Sequence, residues 1–260
     1  MYYILGSTGI LSESIISIIK KKNYKIVSRK LNRKFVKKNI FRNKNLKKEP
    51  WMSEINPSDT LLLLSNLGSI KTYNNQEKVN KFMKSLKFIL RNINKRVKII
   101  FFSSDMVFEG KNVVYSDLSK MKPKNNYGKT KKQIEILIKK NFQNYLILRF
   151  CKIYSKKIKQ DSIYSQAYLD LKKKKKLKLF YDQKVHYMDI IEFKKILRKI
   201  LKNNKIKGTY NCPGKLFLSR YDFMLKMFPN YKNQMRKISI NIYSYLPTNL
   251  KMNTRILKYL

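Results

Sequence analysis

Acidic residues are scarce in this chain: 15 Asp and Glu stand against 60 Lys and Arg, a formal charge of +45. An excess of that size points first to a polyanion partner, RNA or an acidic membrane. However, Lys, Asn and Ile are used heavily everywhere, as an A+T-rich genome imposes, and no arm or helix gathers the cations. The even spread favours composition drift over a dedicated nucleic-acid site, with weak non-specific binding in either case. The densest run, Lys172–Lys176, has no aromatic residues for bases to stack on and reads as a solvated helix end. Cysteine is nearly absent. Cys151 and Cys212 lie too far apart for metal-ligand spacing or a disulfide framework, which fits a reducing cytosol. No apolar run reaches the roughly twenty residues that span a bilayer. No basic region precedes the first apolar stretch, so a signal peptide is not expected. The expectation is a soluble cytoplasmic protein without a metal and without internal repeats.

What is present begins with a strand over Met1–Leu5, followed by Gly6-Ser7-Thr8-Gly9-Ile10-Leu11-Ser12 and helical spacing over 14–20. Strand, Gly-rich turn and helix point to a nucleotide-phosphate site. Gly6 permits the tight turn, Gly9 lets backbone approach a pyrophosphate, and the helix N-terminus offers unpaired N–H groups. Ser12 stands where the fingerprint has its third glycine, a position that serves close packing. The competing reading is an ordinary strand–helix turn, because two glycines alone are weakly specific. Tyr24–Ser28 reads as the second strand, ending in Arg29-Lys30. A carboxylate there would suit the ribose of NAD, and a basic side chain suits the 2′-phosphate of NADP. Residues 31–58 give no clear element. Residues 59–64 form an apolar run typical of a strand buried on both faces, and place Ser65-Asn66 beside the cofactor.

Residues 79–93 have helical periodicity. Val97–Phe102 is a strand that delivers Ser103-Ser104-Asp105. After a loop containing Pro123, a helix begins at Tyr127, with Lys131 four residues on, and runs to about Lys140. Tyr127, Thr130, Lys131, Ile134 and Ile138 share one stripe, so the Tyr and Lys face the protein interior. A hydroxyl at a strand end with Tyr and Lys one turn apart outlines a reaction centre. Tyr145–Phe150 is a further strand. Alternating strands and helices give an α/β fold, a Rossmann-type doubly wound parallel sheet with a small C-terminal α+β substrate lobe. Residues 1–153 form the NAD(P)-binding domain, with 185–207 returning to it. Residues 154–184 and 208–260 form the substrate lobe. Within the lobe, helices are expected over 162–171 and 192–201 and after the capping Ser219. Short strands are expected over 177–180 and 185–190, and Gly208–Pro213 reads as a strand and turn.

Two blocks carry a resemblance. Ser103-Ser104-Asp105-Met106-Val107-Phe108-Glu109-Gly110 is similar to an S-T-D-x-V-F-D-G segment, and Pro123 to Lys131 to a P-x-N-x-Y-G-x-[ST]-K segment. Both segments mark the extended short-chain dehydrogenase/reductase superfamily, and within it the dTDP-4-dehydrorhamnose reductase family. The resemblance is strong over 97–150 and looser after it. It implies an oxidoreductase that reduces a nucleotide-linked 4-keto-deoxysugar with NADP(H) in preference to NAD(H), for surface polysaccharide precursors. Tyr127 would be the general acid. Lys131 would lower the phenol pKa and hold the nicotinamide ribose. Ser104 would hydrogen-bond the carbonyl oxygen. Gly6, Ser7, Thr8, Gly9, Ile10, Leu11, Arg29, Ser65 and Asn66, with Tyr127 and Lys131, would bind cofactor, and Ser104, Asp105, Met106 and Tyr127 substrate.

Nucleotide-sugar dehydratases carry Asp-Glu where Asp105-Met106 stands. Met106 cannot move a proton, which favours reduction or epimerisation over dehydration. The family's G-x-P-T segment is replaced by Val185-His186-Tyr187-Met188, so the substrate loop differs. His186, the single histidine, is placed there and read as a surface or packing residue. The alternatives are a nucleotide-sugar epimerase and a non-catalytic nucleotide-binding regulatory subunit. The intact Ser/Tyr/Lys set favours an enzyme. No specific nucleic acid partner and no membrane span are expected, and a homodimer is left open.

Overall fold

The computed structural model describes residues 1–6, 9–19, 24–27, 40–41, 49–68, 70–157 and 162–259. A seven-stranded sheet contains β1 (Tyr2–Leu5), β2 (Tyr24–Val27), β3 (Ile40–Phe41), β4 (Thr60–Leu63), β5 (Lys98–Ser104), β6 (Tyr145–Phe150) and β10 (Gly208–Cys212). Their order is β10-β6-β5-β4-β1-β2-β3. From β3 to β6 this is the doubly wound dinucleotide-binding order, with its switch point where β1 lies beside β4. The pairings β1–β2, β1–β4, β2–β3 and β4–β5 are all parallel. Every residue of β4 and β5 is buried, as a strand covered on both faces requires.

The chain packs as two units. The first comprises 1–103, 129–148 and 205–209, and the second 104–128, 149–204 and 210–260. In the first, α1 (Ile10–Ile18) follows β1, and α3 (Gln76–Asn92) follows β4. Asn75 starts α3 by accepting from the Lys78 N–H at 2.9 Å. Val79, Phe82, Met83, Leu86, Ile89 and Leu90 then form its buried stripe. Among the described residues of 31–58, a stretch unreadable from pattern, two elements are present. One is the two-residue β3. The other is α2 (Pro50–Glu54), a single turn whose Trp51 is fully buried with its ring centroid 6.0 Å from that of Tyr3.

The second unit carries β7 (Lys152–Tyr154), α5 (Ile163–Lys172), β8 (Leu177–Phe180), β9 (Lys184–Asp189), α6 (Ile190–Lys202), β11 (Leu216–Ser219), α7 (Arg220–Met227), β12 (Met235–Ile238) and β13 (Asn249–Leu250). Strand β9 pairs with β11, β13 and β7, and β8 with β12. Ser162, Asp189 and Ser219 cap α5, α6 and α7, each accepting a backbone N–H of the first turn. The expected helix starts at 162 and 219 are therefore where the chain places them. Lys172–Lys176 is exposed at the end of α5, as its composition suggested. His186 belongs to strand β9 and not to a loop. It is 8% exposed, its Nδ1 lies 2.7 Å from the Gly214 carbonyl, and its Nε2 accepts from the Met252 N–H. A ring engaged at both nitrogens joins segments within the unit. That is a packing role, and burial holds the imidazole pKa below its ordinary value. No helix among the described residues is long and apolar enough to cross a membrane, and no group of residues there could hold a metal ion.

Candidate active site

The first unit holds the turn after β1. Gly6 has φ +104 and donates its N–H to the Val27 carbonyl at 3.1 Å. A Cβ at Gly6 would lie 2.9 Å from the Ser65 nitrogen, so only glycine lets the first turn pass so close to the end of β4. Ser65 in turn donates its hydroxyl to the Leu5 carbonyl at 3.1 Å. Two predicted cofactor residues, Gly6 and Ser65, are thus joined at the switch point. Asn66 uses its side-chain oxygen to accept from the Leu67 N–H and the Tyr73 hydroxyl, which fixes the loop after β4. Gly9 stands at the N-terminus of α1 with φ +110, and a Cβ there would meet nothing within 4 Å. Gly9, the N-cap residue, offers no side chain to this helix, whose first residues are Ile10 and Leu11. Open space over a glycine at a helix N-terminus fits a pyrophosphate. Ser12 is 3% exposed and fills the packing position of the missing third glycine. Ser7, Thr8 and Arg29 lie outside the described residues.

Helix α4 (Asn126–Asn141) carries Tyr127 and Lys131 one turn apart. Tyr127 is half-buried, whereas Thr130, Lys131, Ile134 and Ile138 are all buried, which is the inward stripe expected. In the first unit, Lys131 Nζ donates to the Phe102 carbonyl at 3.0 Å and lies 4.9 Å from the Phe101 ring centroid. Burial lowers its pKa to about 8, while the Glu135 carboxylate pulls the other way. Glu135, one turn further along, is fully buried and accepts from the Ser103 hydroxyl at 2.6 Å. Sequence reading missed this pair. The available signal was a carboxylate four residues after Lys131, on the buried stripe.

In the second unit, Ser104 ends β5 and opens a 3-10 turn over Asp105–Val107. Its hydroxyl donates to Asp105 Oδ1 at 3.0 Å and accepts from the Met106 N–H at 3.2 Å. Asn125 accepts from the Gly128 N–H at 2.8 Å and so caps the start of α4. A Cβ at Gly128 would lie 2.1 Å from the Met106 carbonyl oxygen and 2.8 Å from Pro123 Cβ. Backbone contact of this kind locks the helix turn bearing Tyr127 to the turn bearing Ser104, Asp105 and Met106. The motif glycine after Tyr127 is therefore a spacer that sets register, a role spacing alone did not reveal.

Burial raises the Asp105 carboxyl to about 6, against the opposing effects of the Ser104 hydroxyl and the Lys152 charge. Its ordinary value is 3.8, so between those values the folded protein binds the extra proton and stability falls as pH rises. Above about pH 7 the full penalty applies. Asp105→Asn should therefore be more stable than the parent at pH 8, by up to about 3 kcal/mol. The gain should vanish at pH 4. Melting temperatures at the two pH values test this, and an equal gain at both would remove the role of ionisation.

A family model for the RmlD substrate binding domain matches residues 74–251, more than half of the chain. No curated protein matches. Among solved structures, the dTDP-4-dehydrorhamnose reductase of Bacillus anthracis str. Ames in complex with NADP is 18% identical, with a TM-score of 0.77 over 99% of this chain and 91% of that one. The ortholog from Clostridium acetobutylicum is 18% identical, with a TM-score of 0.76 over 99% and 91%. A dTDP-glucose 4,6-dehydratase from Streptomyces venezuelae, with NAD bound, is 10% identical, with a TM-score of 0.78 over 98% and 88%. These likenesses establish a shared fold, and reductase and dehydratase share it alike.

Proposed function

The chain belongs to the RmlD substrate binding domain family, and from that premise we propose that it reduces a nucleotide-linked 4-keto-deoxysugar with NADPH. The observation that carries this reading is the Gly128 contact, which registers Tyr127 against the Ser104–Met106 turn. On substrate binding the Ser104 hydroxyl would turn its one proton from Asp105 to the ketone oxygen. Tyr127 gives that oxygen a proton as hydride reaches its carbon. An ordinary phenol, with a pKa near 10, is too weak an acid for this task at neutral pH. The Lys131 ammonium, one helical turn away, favours the phenolate and so strengthens the acid. When bound, the nicotinamide cofactor supplies the hydride. The Gly6–Ser65 contact, the open space over Gly9 and the N-terminus of α1 would receive its pyrophosphate. Arg29 would take the 2′-phosphate.

Met106 separates this reading from dehydration. Removal of water needs a second proton-moving group, and a thioether is not one. Crystal complexes of similar fold hold NADP in a reductase and NAD in a dehydratase, which supports a nicotinamide cofactor and leaves NADPH resting on Arg29. The product would feed surface polysaccharide synthesis. The test is oxidation of NADPH and NADH, followed at 340 nm, against a panel of nucleotide-linked 4-keto sugars. Turnover with at least one panel member, faster with NADPH, is expected. Binding of NADPH without turnover on any of them would point to the regulatory role instead.

A further inference from the structure

Helix α4 carries five lysines and one acidic residue, Glu135. Lys129, Lys139 and Lys140 are exposed, whereas Lys131 is 4% exposed and Glu135 is fully buried. A chain with 15 carboxylates for 60 cations thus commits one of them to the buried stripe, beside the lysine assigned to the cofactor. The two side chains stand four residues apart on that stripe, so their Cβ atoms lie about 5–6 Å apart. Both reach consecutive residues of β5, within the first unit. Lys131 Nζ donates to the Phe102 carbonyl at 3.0 Å, and Glu135 accepts from the Ser103 hydroxyl at 2.6 Å. The second distance is that of a hydroxyl bonded to a carboxylate. The other titratable residue of β5, Lys98, stands at the opposite end of the strand.

Packing alone does not ask for a charge at position 135. Ile134 and Ile138 fill the same stripe with apolar side chains, and a buried carboxylate is costly unless a cation and hydrogen bonds offset it. Helix stability does not ask for it either, since lysine four residues before glutamate is the less favourable order in an isolated helix. The neighbouring ammonium accounts for it. Removal from water favours the neutral amine, and a carboxylate on the same dry stripe opposes that. Both effects act on Lys131, burial lowering its pKa to about 8 and Glu135 raising it. We infer that Glu135 is a positioning residue that acts through Lys131: anchored to Ser103, its carboxylate holds the neighbouring ammonium charged against the Phe102 carbonyl, where it can take the nicotinamide ribose. This rests on the reading of Lys131 as the cofactor-holding lysine of a nicotinamide-dependent reductase.

Two measurements separate this role from a merely structural one, and the first needs no cofactor. At pH 7, Glu135→Gln should lower the melting temperature of the parent, because it leaves the buried cation alone. In Lys131→Met the same change should be neutral or stabilising, because it removes an unpaired carboxylate. Equal losses in the two backgrounds would overturn the inference. The second measurement is a fluorescence titration with NADPH, each variant compared with the parent at the same pH so that titration of the cofactor cancels. Glu135→Gln should match the parent at pH 6, where the ammonium is charged in both, and bind about tenfold more weakly at pH 9, the effect of one pKa unit. A loss of the same size at both pH values, or none at either, would overturn the inference. Ser103→Ala keeps both charges and should stay close to the parent at pH 9. A loss of about tenfold there would assign the effect to packing and overturn the inference, even if Glu135→Gln does not fold. NADPH binding by the parent without coupling in the melting temperatures would overturn the inference alone. A parent that binds neither NADPH nor NADH would overturn the proposed function and the inference with it.

Discussion

Tyr127→Phe should lower turnover by about 10²–10⁴-fold, the range over which a positioned general acid acts, and leave NADPH affinity nearly unchanged. The substitution deletes one oxygen from a half-buried ring, so packing along α4 persists. Lys131 keeps its bond to the Phe102 carbonyl and with it the ability to hold a ribose hydroxyl. Under the proposed mechanism, what disappears is the proton for the nascent alkoxide. Because that interaction belongs to the transition state, kcat and kcat/KM should fall together. The measurement is steady-state NADPH oxidation beside a fluorescence titration of the cofactor. Turnover within threefold of the parent would dispose of Tyr127 as the acid.

Gly128→Ala should be nearly as damaging, by a different route. The added methyl would start 2.1 Å from the Met106 carbonyl oxygen, and backbone cannot swing aside as a flexible side chain can. Either the first turn of α4 lifts from the Met106 turn, or the Asn125 cap breaks. Overpacking of this kind costs about 1–3 kcal/mol and sometimes more. The larger consequence is chemical. A displacement of about 1 Å between catalytic groups can cost about 10²-fold in rate. Gly128→Ala should therefore lose both melting temperature and turnover, whereas Gly9→Ala meets no neighbour but is strained at φ +110, so it should cost stability through the backbone and weaken cofactor binding. Unchanged turnover in Gly128→Ala would show that register at this contact does not matter.

Strands announced themselves wherever burial was two-sided. Residues 59–64 and 97–102 could be read because a strand covered on both faces is apolar without alternation. Helix α4 was legible for the opposite reason, since a period near 3.6 leaves its stripe in plain view. The same logic explains the failures. Strand β3 has two residues, too few for any period, and α2 is a single turn held by Trp51. Placing His186 in a loop followed from comparing its segment with a Gly- and Pro-containing motif, although Val185, Tyr187 and Met188 are themselves strand formers. At the candidate site, residue types and spacing exposed Ser104, Tyr127 and Lys131. The Gly128 contact and the Ser103–Glu135 bond join residues distant in sequence. The stripe puts Glu135 on the buried face, but which residue it meets is set by the folded backbone.

The interleaving of the two units has a consequence for how the chain acquires its structure. Each unit is assembled from three separate segments, and the last piece of the first is residues 205–209. During synthesis, residues 1–103 therefore emerge long before the segment that completes their unit. Neither unit exists as one continuous fragment, so truncation at a supposed domain boundary yields an incomplete core. Loops of this length must close before the contacts that reward them form, which slows folding and prolongs exposure of apolar strands such as β4 and β5. A chain built this way should fold late and as a whole, and should be far more sensitive to truncation than to insertion in its exposed loops.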